Sequence, residues 1–168
     1  IQALAEEALR AVGRGAAVVV DPNNGDILAM ASVPSFDPNT FVPSIKAKDW
    51  EVLQKDETNP LVNRAVSAFP PGSTFKLITS LAGLRQGLAK AKFTCYGGVS
   101  YGDHYFQCWV SEKHYTHGTL TLADAIKVSC NAFFYQYGNA AGIDSIDRVG
   151  ELLGLGQPSG LNLAGEQP

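Results

Sequence analysis

Apolar and polar positions along the chain set out a series of short elements. Residues 2–13, Gln-Ala-Leu-Ala-Glu-Glu-Ala-Leu-Arg-Ala-Val-Gly, have helical composition and end in glycine. Two apolar runs, 16–20 and 27–31, flank Asp-Pro-Asn-Asn-Gly-Asp. Asn-Gly between apolar runs signals a hairpin, and the near-continuous runs predict two antiparallel strands central in a sheet. Residues 33–44 hold three prolines and are irregular. A short helix is expected over 46–56, then extended chain over 60–68. From Ser73 to Leu88 the pattern is helical and apolar nearly all round, with Phe75, Leu77, Ile78, Leu81 and Leu84, which predicts a buried helix. A hairpin over 93–109 follows. Three more helices are expected: 120–128, capped by Thr119 or Thr121, then 131–141 and 143–154. The aromatics Phe133, Phe134, Tyr135 and Tyr137 are assigned to the core, and Asp21 and Asp26 to turns.

Two clear strands make too small a sheet to cover these helices, so further strands are expected beyond Pro168. The fold class is α/β in the broad α+β sense: an incomplete antiparallel sheet with a helical subdomain. The 168 residues read as the N-terminal portion of one domain. Residues 1–45 supply a helix and the first strands, and 46–168 a mainly helical part with the hairpin inserted at about 93–109. Hydrophobic residues are 45% and charged residues 17%, which argues against disorder. A net charge of −3 without a basic cluster argues against nucleic acid as partner. No apolar run reaches the roughly 20 residues of a membrane span and no signal peptide opens the chain, so any targeting segment or anchor is expected outside it. Cys95 and Cys108 flank the glycine-rich hairpin, where antiparallel strands could oppose them as a disulfide; three reduced thiols are the equal alternative, with Cys130 buried.

The candidate chemistry begins at Phe-Pro-Pro-Gly-Ser-Thr-Phe-Lys, residues 69–76. A rigid turn delivers Ser73 to a helix start, and Lys76 follows one turn later on the same face. Serine at a helix start is most often a cap, and Ser-x-x-Lys is expected roughly half a time by chance in a chain with 11 serines and 8 lysines, so the pair alone is weak. A nucleophilic serine needs a proton acceptor, and lysine accepts at neutral pH only when burial lowers its pKa. The buried helix would supply that burial, and its N-terminus positive potential and N–H donors for an oxyanion. A relay partner is available in Ser129-Cys130-Asn131, at the junction of two helical segments and 56 residues beyond Ser73. There Ser129 could carry a proton to a leaving group, and Asn131 could bind both Lys76 and a substrate amide, unless either is only a cap.

Together, Pro-Pro-Gly-Ser-Thr-Phe-Lys and Ser-Cys-Asn-Ala-Phe-Phe-Tyr-Gln resemble the transpeptidase domain of class B penicillin-binding proteins. The resemblance covers nearly the whole chain, including the opening hairpin, Ser-Phe-Asp-Pro-Asn, Asn-Arg-Ala and His-Gly-Thr-Leu-Thr-Leu-Ala-Asp-Ala-Ile, and leans toward the elongation-type members. It implies a penicillin-binding-protein/serine β-lactamase-like fold and a serine D,D-transpeptidase without cofactor or metal. Ser73 would be the nucleophile, Lys76 the base, and Ser129 and Asn131 the second motif; Trp109 is a candidate groove wall, beside a packing role. Peptidoglycan stem peptides and β-lactams would be its ligands and a membrane glycosyltransferase its partner. The implied location is the extracytoplasmic, periplasmic face of the inner membrane. The family's third motif, Lys-Thr-Gly or Lys-Ser-Gly, does not occur, which matches the expected truncation and leaves an inactive fragment as one alternative. A β-lactam sensor or a serine β-lactamase of the same fold is another. A Ser-His-Asp hydrolase lacks a Gly-x-Ser-x-Gly elbow, and a zinc site from Cys95, Cys108 and the histidines lacks both Cys-x-x-Cys and His-Glu-x-x-His.

Overall fold

The computed structural model describes residues 1–166, which form two compact units: Ile1–Phe69 with the segment from Gly160, and Pro70–Ser159. In the first unit, α1 (Gln2–Val12) packs on a hairpin of β1 (Gly15–Val20) and β2 (Ile27–Val33). The register runs from Gly15 opposite Val33 to Val20 opposite Ile27, with an irregularity at Val19/Val20. Asp21 closes the turn: its N–H donates to the Asp26 carbonyl at 2.8 Å, and its own carbonyl accepts from Gly25 N–H at 2.8 Å. The Gln2 side-chain amide locks α1 to the sheet by bonding both ways with the Met30 backbone, at 2.8 and 3.0 Å. The expected central position in a sheet is not seen among the described residues. β1 and β2 pair only with each other, and Val18, Val20 and Leu28 are exposed, while small Ala29 and Ala31 face inward.

A short helix α2 (Ala47–Lys55) lies where it was expected. Residues 60–68 are not extended but turn repeatedly. Asn63 folds this segment, its side chain accepting from Ala65 N–H at 3.0 Å and its carbonyl from Ser67 Oγ at 2.9 Å. Arg64, only 5% exposed, ties it down by donating to the carbonyls of Thr58, Val62 and Pro34.

In the second unit, α3 (Lys76–Arg85) is followed by three-residue β3 (Phe93–Cys95), β4 (Gly98–Tyr101), β5 (His104–Gln107) and β6 (Gly118–Leu120). Then come α4 (Leu122–Lys127), α5 (Asn131–Ala141) and α6 (Ile143–Leu152). The hairpin expected over 93–109 is smaller than that. The two-residue Gly102-Asp103 loop pairs Tyr101 with His104 and Gly98 with Gln107, so Cys108 lies beyond the last pair; β3 instead pairs with β6, Cys95 opposite Gly118. The proposed Cys95–Cys108 disulfide is absent: Cys95, Cys108 and Cys130 are all free and fully buried.

α5 is the centre of this unit. Phe133 and Tyr137 are fully buried, with ring centroids 5.3 Å apart, and Phe134 joins them in a core shared with Val110, Ala125 and the three cysteines. Tyr135 alone of the four aromatics is exposed, against Phe106. α3 is not buried all round as expected. Its inward face is small and polar (Thr79, Ser80, Ala82, Gly83), whereas Leu77, Leu81 and Leu84 remain 57%, 44% and 43% exposed. The bulk of α5 dictates this choice: a Cβ on Gly83 would lie 2.0 Å from Tyr137 Cε1. α4 is capped by Thr121, whose hydroxyl accepts from Asp124 N–H at 3.3 Å. No helix among the described residues is long and apolar enough to cross a membrane.

Candidate active site

The Pro-Pro-Gly turn ends in a tight helical turn rather than an α-helix. Gly72 has φ of +56°, a left-handed value that glycine adopts without strain, and residues Gly72–Phe75 form one 3-10 turn leading into α3. Thr74 closes the turn by donating its hydroxyl to the Pro71 carbonyl at 2.6 Å. In 3-10 geometry side chains at i and i+3 eclipse, so Ser73 and Lys76 stand one above the other. Ser73 makes no helix cap here; its Oγ accepts a hydrogen bond from Ser129 Oγ at 2.9 Å.

Ser129 occupies the link between α4 and α5. Its N–H donates to the Ile126 carbonyl at 3.0 Å, and its φ of +49° turns the chain sharply, a sparsely populated conformation for a non-glycine residue. The capping duty falls on Cys130, whose Sγ accepts from Phe133 N–H at 3.4 Å. The Ser129 hydroxyl and the side chain of Asn131, the first residue of α5, are therefore free to meet Lys76. Lys76 Nζ donates to Ser129 Oγ at 2.9 Å, to the Ser129 carbonyl at 2.8 Å and to Asn131 Oδ1 at 2.7 Å. All three ammonium protons are used. The Phe134 ring lies 5.5 Å from the same nitrogen. Thus Ser73, Ser129, Lys76 and Asn131 form one continuous hydrogen-bonded chain, with Ser129 Oγ between the other hydroxyl and the amine. Burial lowers the Lys76 pKa, against the opposing pull of negative charge on Cys108 and Cys130. With Lys76 neutral and both hydroxyls turned, so that Ser73 donates to Ser129 and Ser129 to Nζ, such a chain can move a proton from Ser73 to Lys76.

Trp109 is exposed beside the link between α4 and α5. Its indole Nε1 donates to the carbonyls of Val128 at 3.1 Å and Ser129 at 3.2 Å. Behind the link, Cys95, Cys108, His117 and Cys130 place their ligand atoms within 4.8 Å of one another. Cys108 Sγ lies 3.7 Å from His117 Nδ1 and 3.9 Å from Cys130 Sγ. With Zn–S about 2.3 Å and Zn–N about 2.0 Å, a tetrahedral site needs donor separations of about 3.5–3.8 Å. The two separations of 3.7 and 3.9 Å are close to that, and with all four atoms within 4.8 Å no other has to close by more than about 1.3 Å, so the residues could hold a zinc-sized ion after contraction. Burial, then the charge of Lys76, lowers the His117 pKa. Burial pushes the Cys130 thiol up to about 12. Burial also opposes charge on Cys108, but hydrogen bonds from the N–H groups of Ala132, Val110 and Asn131 outweigh it and lower its pKa. The pair thus accommodates one negative charge more readily than two. The zinc alternative in the sequence takes Cys95, Cys108 and the histidines and lacks a spacing motif; the cluster adds Cys130 and takes His117, its members coming from four separate segments.

Residues 15–168 match the family model described as penicillin binding protein transpeptidase domain. The peptidoglycan D,D-transpeptidase MrdA of Acinetobacter baumannii is 40% identical over 159 residues, which is 91% of this chain and 23% of the relative. The solved PBP2 of Pseudomonas aeruginosa superposes with a TM-score of 0.88 at 36% identity, covering 98% of this chain and 38% of that one. Penicillin-binding protein A of Mycobacterium tuberculosis, solved as its imipenem acyl-enzyme, gives a TM-score of 0.78 at 33% identity over 86% of this chain and 35% of that one. The chain spans about a quarter of the length of the curated MrdA relatives it matches, 23% to 26%. The shared fold, the family match over all but the first 14 residues and the identity level lead to one assignment: this chain belongs to the penicillin-binding protein transpeptidase domain family.

Proposed function

We propose that this chain is the nucleophile-bearing part of an elongation-type peptidoglycan D,D-transpeptidase. The observation that carries the reading is the Ser73–Ser129–Lys76–Asn131 chain, with contacts of 2.7–2.9 Å along its length. Neutral Lys76 takes the Ser129 proton as Ser129 takes that of Ser73. Ser73 Oγ then bonds to the carbonyl carbon of the penultimate D-alanine of a stem peptide. The scissile C–N bond breaks, and Ser129 returns the proton to the leaving amine of terminal D-alanine. An amine on a neighbouring stem attacks the acyl-enzyme, gives its proton back through the same relay, and frees Ser73. Asn131 fixes Lys76 and offers its amide N–H to the substrate backbone. β-Lactams acylate Ser73 in the same way, as the imipenem acyl-enzyme of the mycobacterial relative suggests. A membrane-bound glycosyltransferase as partner, and action at the extracytoplasmic face of the membrane, belong to the same reading and rest on family resemblance.

The test is transfer. A D-Ala-D-Ala peptide is incubated with a D-amino acid acceptor, and released D-alanine and exchanged product are quantified. Both are expected, and both should vanish with Ser73→Ala. Because the third motif is not in the chain, a longer chain that carries it is assayed in parallel. Exchange in neither protein overturns the reading.

A further inference from the structure

We infer that Trp109 is a positioning residue for the acylation relay, acting through the Ser129 carbonyl rather than by walling the substrate groove. This rests on the proposed serine chemistry. The link between α4 and α5 has two needs. The carbonyls of Val128 and Ser129, just past the end of α4, need donors, because the turn hydrogen bonds there go to Asp124, Ala125 and Ile126, and the left-handed turn at Ser129 needs something to hold it. One indole N–H answers both with a three-centre bond, at 3.1 Å to Val128 and 3.2 Å to Ser129. The Ser129 carbonyl has two lone pairs, and the second accepts from Lys76 Nζ at 2.8 Å. Trp109 and Lys76 are thus joined through a single oxygen. Its position sets where the lysine sits, and the same peptide sets where Ser129 Oγ points, 2.9 Å from both Lys76 Nζ and Ser73 Oγ.

The ring itself is clamped. The His117 imidazole packs 5.3 Å from it at 61°, and the Lys113 ammonium lies 5.2 Å from its centroid. A bulky aromatic in a short 3-10 turn (Trp109–Lys113) delivers this N–H from a rigid base, with buried Cys108 before it and buried Val110 after it. If the N–H is removed and the shape kept, the Ser129 peptide loses its brace. Both hydroxyl contacts then loosen, while the groove surface that meets a ligand is unaltered.

The test replaces Trp109 with two near-isosteres by codon reassignment. β-(3-Benzothienyl)alanine exchanges the N–H for sulfur, and 7-azatryptophan retains the N–H. Acylation by benzylpenicillin is followed against concentration, which separates the non-covalent dissociation constant from the first-order acylation rate; near-UV dichroism reports folding. The chain and a longer chain carrying the third motif are both used. The sulfur analogue is expected to acylate about 10- to 100-fold more slowly at unchanged dissociation constant, and the aza analogue at the native rate. An unchanged rate with the sulfur analogue overturns the inference. So does a weakened dissociation constant at native rate, which would make Trp109 a groove wall. Equal slowing by both analogues would make it a packing residue and also overturns it. If the native proteins are not acylated at all, it is the serine reading that fails.

Discussion

Gly83→Ala is a substitution whose sign the structure reverses. On an open helix face, alanine in place of glycine stabilises by about 1 kcal/mol. At Gly83 the new Cβ would meet Tyr137 Cε1 at 2.0 Å, Cζ at 2.4 Å and Oη at 2.7 Å. An ordinary contact begins near 3.4 Å, so the overlap exceeds 1 Å. Tyr137 is fully buried and stacked on Phe133, and cannot simply swing away. Overpacking of this size costs about 3 kcal/mol. Net of helix propensity, the variant should lose about 2 kcal/mol, or about 4–8 °C in Tm for a chain of this length. Gly150→Ala in α6 is the control, since its Cβ would meet nothing nearer than Leu155 at 3.7 Å and should leave Tm level or raise it. Thermal unfolding by near-UV dichroism reads both, and Tyr137→Leu added to Gly83→Ala should recover part of the loss. The consequence reaches the site, because α3 carries Lys76 and α5 carries Asn131, 2.7 Å apart. A wedge between the helices should also slow acylation. A Gly83→Ala variant that gains stability as Gly150→Ala does would refute the packing argument.

Other outcomes follow from the site. Asn131→Ala removes the acceptor that holds Lys76 Nζ in place at 2.7 Å, so Lys76 loses its alignment with Ser129 and acylation by benzylpenicillin should slow about 10- to 100-fold, read by the time course of adduct mass. Acylation needs neutral Lys76, so its rate should rise with pH. Because burial lowers that pKa, the midpoint should lie below the ordinary lysine range, and a pH–rate profile rising only there would contradict it. Zinc should bind with one equivalent per chain by competition with a chromogenic chelator, raise Tm, and do neither in a Cys95→Ser, Cys108→Ser double variant. Tyr137→Phe removes a buried hydroxyl that has no partner among the described residues and should leave stability level or raise it by about 1 kcal/mol, measured by urea unfolding.

The helices and the first hairpin were legible because their signals are local: glycine ends, Asn-Gly in the turn, threonine before α4. Spacing offered Ser73 with Lys76, and a helix junction offered Ser129 and Asn131, but each had a capping alternative, and it was the family resemblance that grouped the four. What failed depended on distant partners. The leucines of α3 outweighed its small residues in any periodicity argument, yet Tyr137 selects the small face. β3 is three residues long and finds β6 across more than twenty positions, which no local pattern could specify. The Cys95–Cys108 pairing treated the glycine-rich loop as one ladder, when the ladder stops at Gly98 and Gln107. The bonds of Trp109 were invisible for the same reason: their acceptors are backbone carbonyls, which every residue has.

The most direct measurement is the intact mass of the protein after incubation with benzylpenicillin, beside Ser73→Ala, in this chain and in one carrying the third motif. The account predicts one added penicillin, on a peptide containing Ser73 and absent from the variant. No adduct in either chain, or an equal adduct in Ser73→Ala, would contradict it.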